Sequence, residues 1–321
     1  MTPKLTVIMS AYNSSDTIQR AISSILSQSF SEFELIILND GSTDDTETKI
    51  FTFLDERIKY FALDHSGLTK ALNFGLSKAR TNFIFRHDSD DWSEPSRFTT
   101  QMALLTENPQ LGVVASWHNV VDSAGEYLGC KRIPTDDASL KRMLRWRNSF
   151  CHGSVAMRKS TIDQVGKYNE SLLFSQDYDL WVRLASAGVK FACVPEALYN
   201  YSISPDSIAK GWHKLANQEH IRQNALLPIS QRNYSISEIP TTGSRRTNSL
   251  WYYALGSLAL DEGRRLRATR NFLRSLMKDP FEWRALLKMG TTLLPRSARN
   301  MIFGSVKRWK ESVRDDHSKK S

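Results

Sequence analysis

The chain of 321 residues contains no run of about 18 consecutive apolar residues, so it is not expected to span a membrane. Its opening, MTPKLTVIMSAYN, has too short an apolar stretch for a secretory leader. Cysteine is scarce: Cys130, Cys151 and Cys193 are an odd, widely spaced trio with no CxxC pair, which argues against a disulfide framework and a thiolate zinc site. A reducing, cytoplasmic setting follows. Neither GxGxxG nor GxxxxGK[ST] occurs, so dinucleotide folds and P-loop chemistry have no support. Aromatic and basic residues are not interleaved as in a nucleic-acid module, and no nucleic-acid partner is expected.

What is present is a folded composition, 40% hydrophobic and 24% charged, with a net charge of +9 that is unevenly spread. From Arg264 to Ser321, 16 Lys and Arg stand against 5 Asp and Glu, an excess of 11, which leaves the preceding chain at about −2. A near-neutral working domain followed by a basic segment that meets an anionic surface is the natural reading.

Along the first hundred residues, strand-like and helix-like patterns alternate. LTVIM (5–9), ELIIL (34–38), IKYFA (58–62) and FIFRH (83–87) read as strands. Ile18, Ala21, Ile22, Ile25 and Leu26 recur at helical spacing, and GLTKALNFGLSKA reads as a second helix. This rhythm predicts an α/β fold, a mostly parallel sheet flanked by helices, with ligands bound beyond the carboxyl ends of the strands. The pattern is less regular later, with strand character over 112–121, a turn at DSAGE and a helix over 136–146.

Directly after the fourth strand stand Asp88, Asp90 and Asp91. Three crowded carboxylates repel one another and call for a cation. Oxygen donors without neighbouring Cys or paired His suit Mg²⁺ or Mn²⁺, which take one or two carboxylates and complete their shell with water and phosphate. The competing reading is a solvated loop that caps a helix starting near Pro95. Likewise LNDGSTDD ends the second strand with Asp40-Gly41-Ser42, a carboxylate able to accept from a nucleobase or ribose, or an ordinary turn. Asp177 and Asp179 in SQDYDLW read as helix-capping residues or as a catalytic pair member.

Taken together, VIMSAYNSSDTIQRAISSILSQSFSEFELIILNDGSTDDT, GLTKALNFGL…FIFRHDSDDW and FSQDYDLWVRLASAG resemble, in order, three motifs of the family 2 glycosyltransferases, over residues 4–208. The resemblance implies a GT-A fold and inverting, nucleotide-sugar-dependent transfer with a divalent metal, Mn²⁺ or Mg²⁺. It implies that Ser10 and Tyr12 contact the nucleotide, Tyr12 by stacking on the base, that Asp40 accepts from the base N–H, and that Asn39 stands where Asp is commoner. In the implied DxD motif Asp88 reaches the ribose side and Asp90 binds the metal, with Asp91 as a helper or a helix cap. Lys70 and Arg86 become candidates for donor phosphate or sugar. Asp177 becomes the base that deprotonates the acceptor, although Gln176 replaces the commoner Glu. A metal-binding histidine known in some relatives has no match in YNYSISPDSIAK. RMLRW (142–146) and SVKRW (305–309) lack the Gln of a QxxRW motif, which implies transfer of one sugar at a time.

The expected organisation is a catalytic domain over 1–210, a connecting segment over 211–245 and a basic helical region over 246–321. In the last, Leu255-Gly256, Ala268, Phe272 and Pro280 fall at the offsets of one tetratricopeptide-like helix pair. Ile302, Val306, Trp309 and Val313 lie on one face of a basic amphipathic segment, suited to an anionic membrane at the inner face or to packing on the body. The expected donor is a UDP-sugar and the acceptor a saccharide or lipid-linked saccharide of a surface polysaccharide. The rivals are a nucleotidyltransferase, which would release pyrophosphate, and a catalytically silent sugar-nucleotide binder.

Overall fold

The computed structural model describes residues 2–148, 150–172, 174–204, 224, 227, 231, 244–280, 282–292 and 294. The chain divides into two compact units, 1–241 and 242–321. Most of the expected connecting segment, the tail pattern at 299–314 and SVKRW lie outside the described residues.

The first unit is built on a nine-stranded sheet with β1 Leu5–Ala11, β2 Phe33–Asp40, β3 Ile58–Leu63, β4 Phe83–Asp88, β5 Trp92–Ser93, β6 Leu111–Val121, β7 Tyr127–Lys131, β8 Ala156–Arg158 and β9 Lys190–Ser202. The strand order is β3-β2-β1-β4-β8-β6-β9-β5, with β7 paired to β6. All eight residues of β2 are buried, as a strand covered on both faces requires. Alternation sorts the side chains. Val7, Met9, Leu35 and Ile37 pack with Ile18, Ala21, Ile22 and Ile25 of α1 (Ile18–Leu26). Ile8, Ile36 and Leu38 turn to the opposite face, against Ala71, Leu72 and Leu76 of α3 (Leu68–Lys78) and a cluster that includes Trp181. Gly75 lets α3 come close, because a Cβ there would stand 2.8 Å from Ile8 Cγ2 and 2.9 Å from Leu38 Cδ1.

The first four strands are parallel, and their register aligns the carboxyl ends: Ser10 lies opposite both Leu38 and Asp88, and Ala11 opposite Asn39. Beyond β4 the sheet becomes mixed. β4–β8, β6–β8, β6–β7 and β5–β9 are antiparallel, and β6–β9 is parallel with register shifts. α2 (Thr46–Ile50) connects β2 to β3, whereas the mixed half carries α4 (Arg97–Glu107), α5 (Asp137–Leu144), a 3-10 turn at His152–Ser154, α6 (Lys159–Gln164) and α7 (Gln176–Ser186).

The second unit contains α8 (Ser244–Asp261), α9 (Arg265–Lys278) and α10 (Trp283–Gly290). Gly263, with φ of 79°, supplies the left-handed residue that ends α8. In the α8–α9 hairpin a Cβ at Gly256 would sit 2.6 Å from the Phe272 ring, so only glycine admits that contact. Ser249 and Ser275 exchange hydroxyl hydrogen bonds, and Ala259, Leu260, Ala268, Phe272 and Ala285 form the core. Among the described residues no helix is long and apolar enough to cross a membrane.

Candidate active site

The end of β4 delivers the acidic cluster to the sheet edge, beside Ser10 of β1. The intervening Ser89 is tied by its hydroxyl to that of Ser14, 2.8 Å away, which fastens the loop after β4 to the loop after β1. The three carboxylates have separate environments. Asp88, partly exposed, accepts from Arg86 Nη2 at 2.5 Å. Asp91 is fully buried: its Oδ1 accepts from the Ser202 N–H at 2.7 Å, while its Oδ2 has no hydrogen-bond partner. Burial first, then the charges of Asp90 and Asp88, push its carboxyl well above the usual range. Asp90 is exposed to solvent, yet the protein crowded around it and then the Asp88 charge push its carboxyl up from 3.8 to about 6.

Helix capping does not account for the cluster. The N-cap of α4 is Ser96, and no side chain caps that helix; Asp91 instead ties the loop to the end of β9. Arg86, expected to reach donor phosphate or sugar, is buried. Its Nη1 donates to the carbonyls of Ile8 and His87, and Nη2 to Asp88, so the guanidinium meets the protein's own carboxylate. A second cation lies beneath. Arg97 is fully buried and donates to the Arg86 carbonyl, Ser93 Oγ and Gln101 Oε1; burial lowers it to about 10, which keeps it charged at neutral pH. His87, also buried, is held neutral by desolvation and by Arg97. Arg20 of α1 lies 3.9 Å above the Trp92 ring and donates to the Asp90 carbonyl.

After β1, Tyr12 is 46% exposed and stacks on His65 with centroids 4.1 Å apart. Asp40 is buried, and its carboxylate accepts from the backbone N–H groups of Ser66 and Gly67, each at 2.9 Å. In this structure it therefore shapes the β3–α3 loop that carries His65. Asn39, in the place where Asp is commoner, donates to the Tyr60 hydroxyl and accepts from the Ser42 N–H. Lys70 stands exposed in the first turn of α3.

The two acids of SQDYDLW differ in the same way. Asp179 is fully buried and bound by Arg183 through Nε at 2.8 Å and Nη2 at 2.6 Å. Asp177, half-buried in the first turn of α7, accepts from Asn148 Nδ2 at 2.5 Å, and neither acid caps the helix. The segment leading into the 3-10 turn joins this acid to the first cluster. Asn148 holds Asp177, His152 Nε2 is 2.7 Å from the Tyr168 hydroxyl, and Gly153 packs so closely that a Cβ would lie 2.8 Å from Asp88 Oδ2. Tyr168, buried between, feels the negative charge of both Asp177 and Asp88.

Of the residues singled out in the sequence, Ser10, Asp88 and Asp90 come together at the sheet edge, while Asn148, Gly153, Arg97 and His65, which the sequence did not single out, lie against Asp177, Asp88, Arg86 and Tyr12 in turn. The Arg86–Asp88 pair was signalled by their spacing of two on one strand, which puts both side chains on one face. No local pattern marks the others.

Among the described residues no three Asp, Glu, His or Cys side chains converge into a metal cage. Two carboxylates from one short loop, one of them exposed and repelled by its neighbour, nonetheless fit a hard cation that takes its remaining ligands from phosphate and water.

The Glycosyl transferase family 2 profile matches residues 6–166. The O-antigen biosynthesis glycosyltransferase WbnJ of Escherichia coli is 30% identical over 215 residues, 64% of this chain and 82% of that protein. The UDP-Gal:alpha-D-GlcNAc-diphosphoundecaprenol beta-1,3-galactosyltransferase of Escherichia coli is 30% identical over 64% of this chain and 76% of its own. Among solved structures, the mannosyltransferase PcManGT from Pyrobaculum calidifontis, in complex with GDP-Man and Mn²⁺, superposes with a TM-score of 0.55 at 16% identity, covering 94% of this chain and 83% of that one. The fold is that of the GT-A glycosyltransferases, and the chain belongs to glycosyltransferase family 2.

Proposed function

We propose that the chain transfers a single sugar from a nucleotide-diphosphate donor, a UDP-sugar, to a saccharide or lipid-linked saccharide acceptor with inversion at the anomeric carbon, in the assembly of a surface polysaccharide. The observation that carries this reading is the convergence, through the 148–153 segment, of Asp177 and the Asp88–Asp90 loop at the carboxyl edge of the sheet. The chemistry is assigned to residues 1–210, with 246–321 as a helical appendage. The UDP and lipid-linked parts are supported by the relative whose name specifies UDP-Gal and a diphosphoundecaprenol acceptor. Divalent metal is supported by the Mn²⁺ complex of the structural neighbour.

In this reading the exposed face of Tyr12 stacks on the base, with Ser10 beside it, while Asp40 keeps the β3–α3 loop in place and offers its remaining lone pairs to the base N–H. Asp88, oriented by Arg86, meets the ribose side, and Asp90 holds a Mn²⁺ or Mg²⁺ ion. When bound, that ion supplies Lewis-acid neutralisation of the diphosphate's negative charge. Lys70 contributes a further positive charge toward the phosphates. Asp177, oriented by Asn148, takes the proton of the acceptor hydroxyl as its oxygen bonds to the anomeric carbon and the bond to the diphosphate breaks on the opposite side.

The test is release of UDP from a panel of UDP-sugars with membrane-extracted acceptors, with and without Mn²⁺, for the wild type and Asp177→Asn. Metal-dependent release that Asp177→Asn loses while still binding UDP is expected. Donor binding with no release from any donor and acceptor would contradict transfer.

A further inference from the structure

The second unit presents a surface that the transfer reaction does not use. On α9, Leu266 and Met277 are 89% and 82% exposed and Leu273 is 47% exposed. At about 100° per residue these three fall within about 40° of one another around the helix, a single stripe along its outer side. Ala268, Phe272 and Ser275, all fully buried, lie on the opposite side and form the contact with α8 and the unit's core. The stripe therefore cannot be the packing face of the hairpin, because that face is already occupied.

Its charge is equally one-sided. The 14 residues of α9 include five Arg and Lys and no Asp or Glu. Arg270 and Arg274 are exposed about 40° and 80° around the helix from the middle of the stripe, and Arg267 and Lys278 are exposed about 100° and 120° from it, all on one flank. Among the described residues none of these four forms an ion pair, and only Arg274 has an aromatic partner, lying 5.7 Å from the Tyr252 ring. A helix stabilised by surface ion pairs would interleave acids at spacings of three or four.

We propose that this outer face of α9 docks on an anionic lipid bilayer, with Leu266, Leu273 and Met277 entering the headgroup–acyl boundary and the flanking Arg and Lys resting on acidic headgroups. Charge complementarity selects an anionic occupant. The apolar stripe selects a bilayer among anionic occupants, because a soluble polyanion would leave three large apolar side chains in water, whereas a membrane interface buries them and meets the charge together. The inference goes beyond the transfer reaction and stands whether or not a lipid-linked acceptor is used. It also differs from the expectation drawn from the tail at 299–314, since α9 lies wholly among the described residues.

The full chain is tested by flotation with vesicles of phosphatidylcholine alone and of phosphatidylcholine with phosphatidylglycerol. The wild type is expected to float with the second and not the first. Leu266→Ser with Met277→Ser should weaken that partition at least about tenfold, and Arg267→Gln with Arg270→Gln about thirtyfold. All four positions are exposed, so far-UV circular dichroism should match the wild type in both variants. Failure of the wild type to float with phosphatidylglycerol vesicles would overturn the proposal. So would wild-type binding by the Leu266→Ser, Met277→Ser protein: with Arg267→Gln, Arg270→Gln impaired it would mark a site for a soluble polyanion or an acidic protein, and with both proteins unimpaired it would move the contact elsewhere in the chain.

Discussion

Replacing Asp90 by Asn should make the protein more stable and abolish metal-dependent donor binding at once. The Asp90 carboxyl is raised from 3.8 to about 6, by desolvation first and by Asp88 second, so the folded state holds this proton more tightly than the unfolded chain does. Ionising Asp90 therefore opposes folding. That penalty is absent below about pH 4, grows as the pH rises to about 6 and is complete above it. A displacement of about two pH units corresponds to about 3 kcal/mol, and the exposure of Asp90 to solvent reduces this to about 1 kcal/mol. For a unit of this size about 1 kcal/mol moves Tm by about 2–4 °C. Without metal at neutral pH, Asp90→Asn should melt higher than the wild type by that amount, and the gap should close as the pH falls toward 4. With saturating Mn²⁺ and UDP the order should invert, because only the wild type gains binding energy, about 2.7 kcal/mol when ligand stands at a hundred times its Kd. The assay is thermal unfolding at several pH values with and without Mn²⁺ and UDP. A variant less stable than wild type in metal-free neutral buffer, a gap that does not depend on pH, or equal stabilisation of both proteins by Mn²⁺ and UDP would refute the reasoning.

Arg86→Met should lower stability by about 2–3 kcal/mol in chemical denaturation, since it strands Asp88 and removes a buried donor to the Ile8 carbonyl; steady-state kinetics should show a raised donor KM. Gly153→Ala places a methyl against the Tyr199 hydroxyl and 2.8 Å from Asp88 Oδ2, so it should destabilise by about 1–3 kcal/mol and reduce turnover, while the same change at Gly290, which has open space around it, should do neither. Asn148→Ala frees the Asp177 carboxylate from its 2.5 Å partner and should lower kcat by about tenfold to a hundredfold with donor KM unchanged, a split that initial-rate measurements would expose.

How much of this could be read from residues alone depends on whether the information is local. Strands β1, β2 and β4 declare themselves because strands covered on both faces need continuous apolar runs, and α1 because its buried residues recur at helical spacing. The mixed half of the sheet does not. β5 is two residues and β8 three, too short for any periodicity, and their antiparallel partners are distant in sequence, Asn200 lying 108 residues after Trp92 and Ile84 lying 73 residues before Met157, chosen by tertiary packing. In the second unit, Gly256 faces the Phe272 ring across the α8–α9 hairpin, a small-on-large contact that leaves a fixed offset in the sequence.

The site divides along the same line. That Asp88, Asp90 and Asp91 stand at a strand's end is written in FIFRHDSDD, but the charges that balance them are not. Arg97 lies on α4, where an arginine ordinarily faces water; here it is fully buried beneath the Arg86 carbonyl. Arg86 offsets Asp88 directly, and Asp91 is drawn away to the Ser202 N–H with its proton held tightly. Of the three carboxylates, Asp90 is then the one both exposed and without a compensating side chain in hydrogen-bond contact, and its raised pKa measures what a cation placed there would relieve. The surrounding residues thus give one acidic run three environments, an acid paired with a buried arginine, a buried loop anchor and an exposed acid with a raised pKa, a division that spacing could not supply because all three residues are chemically alike.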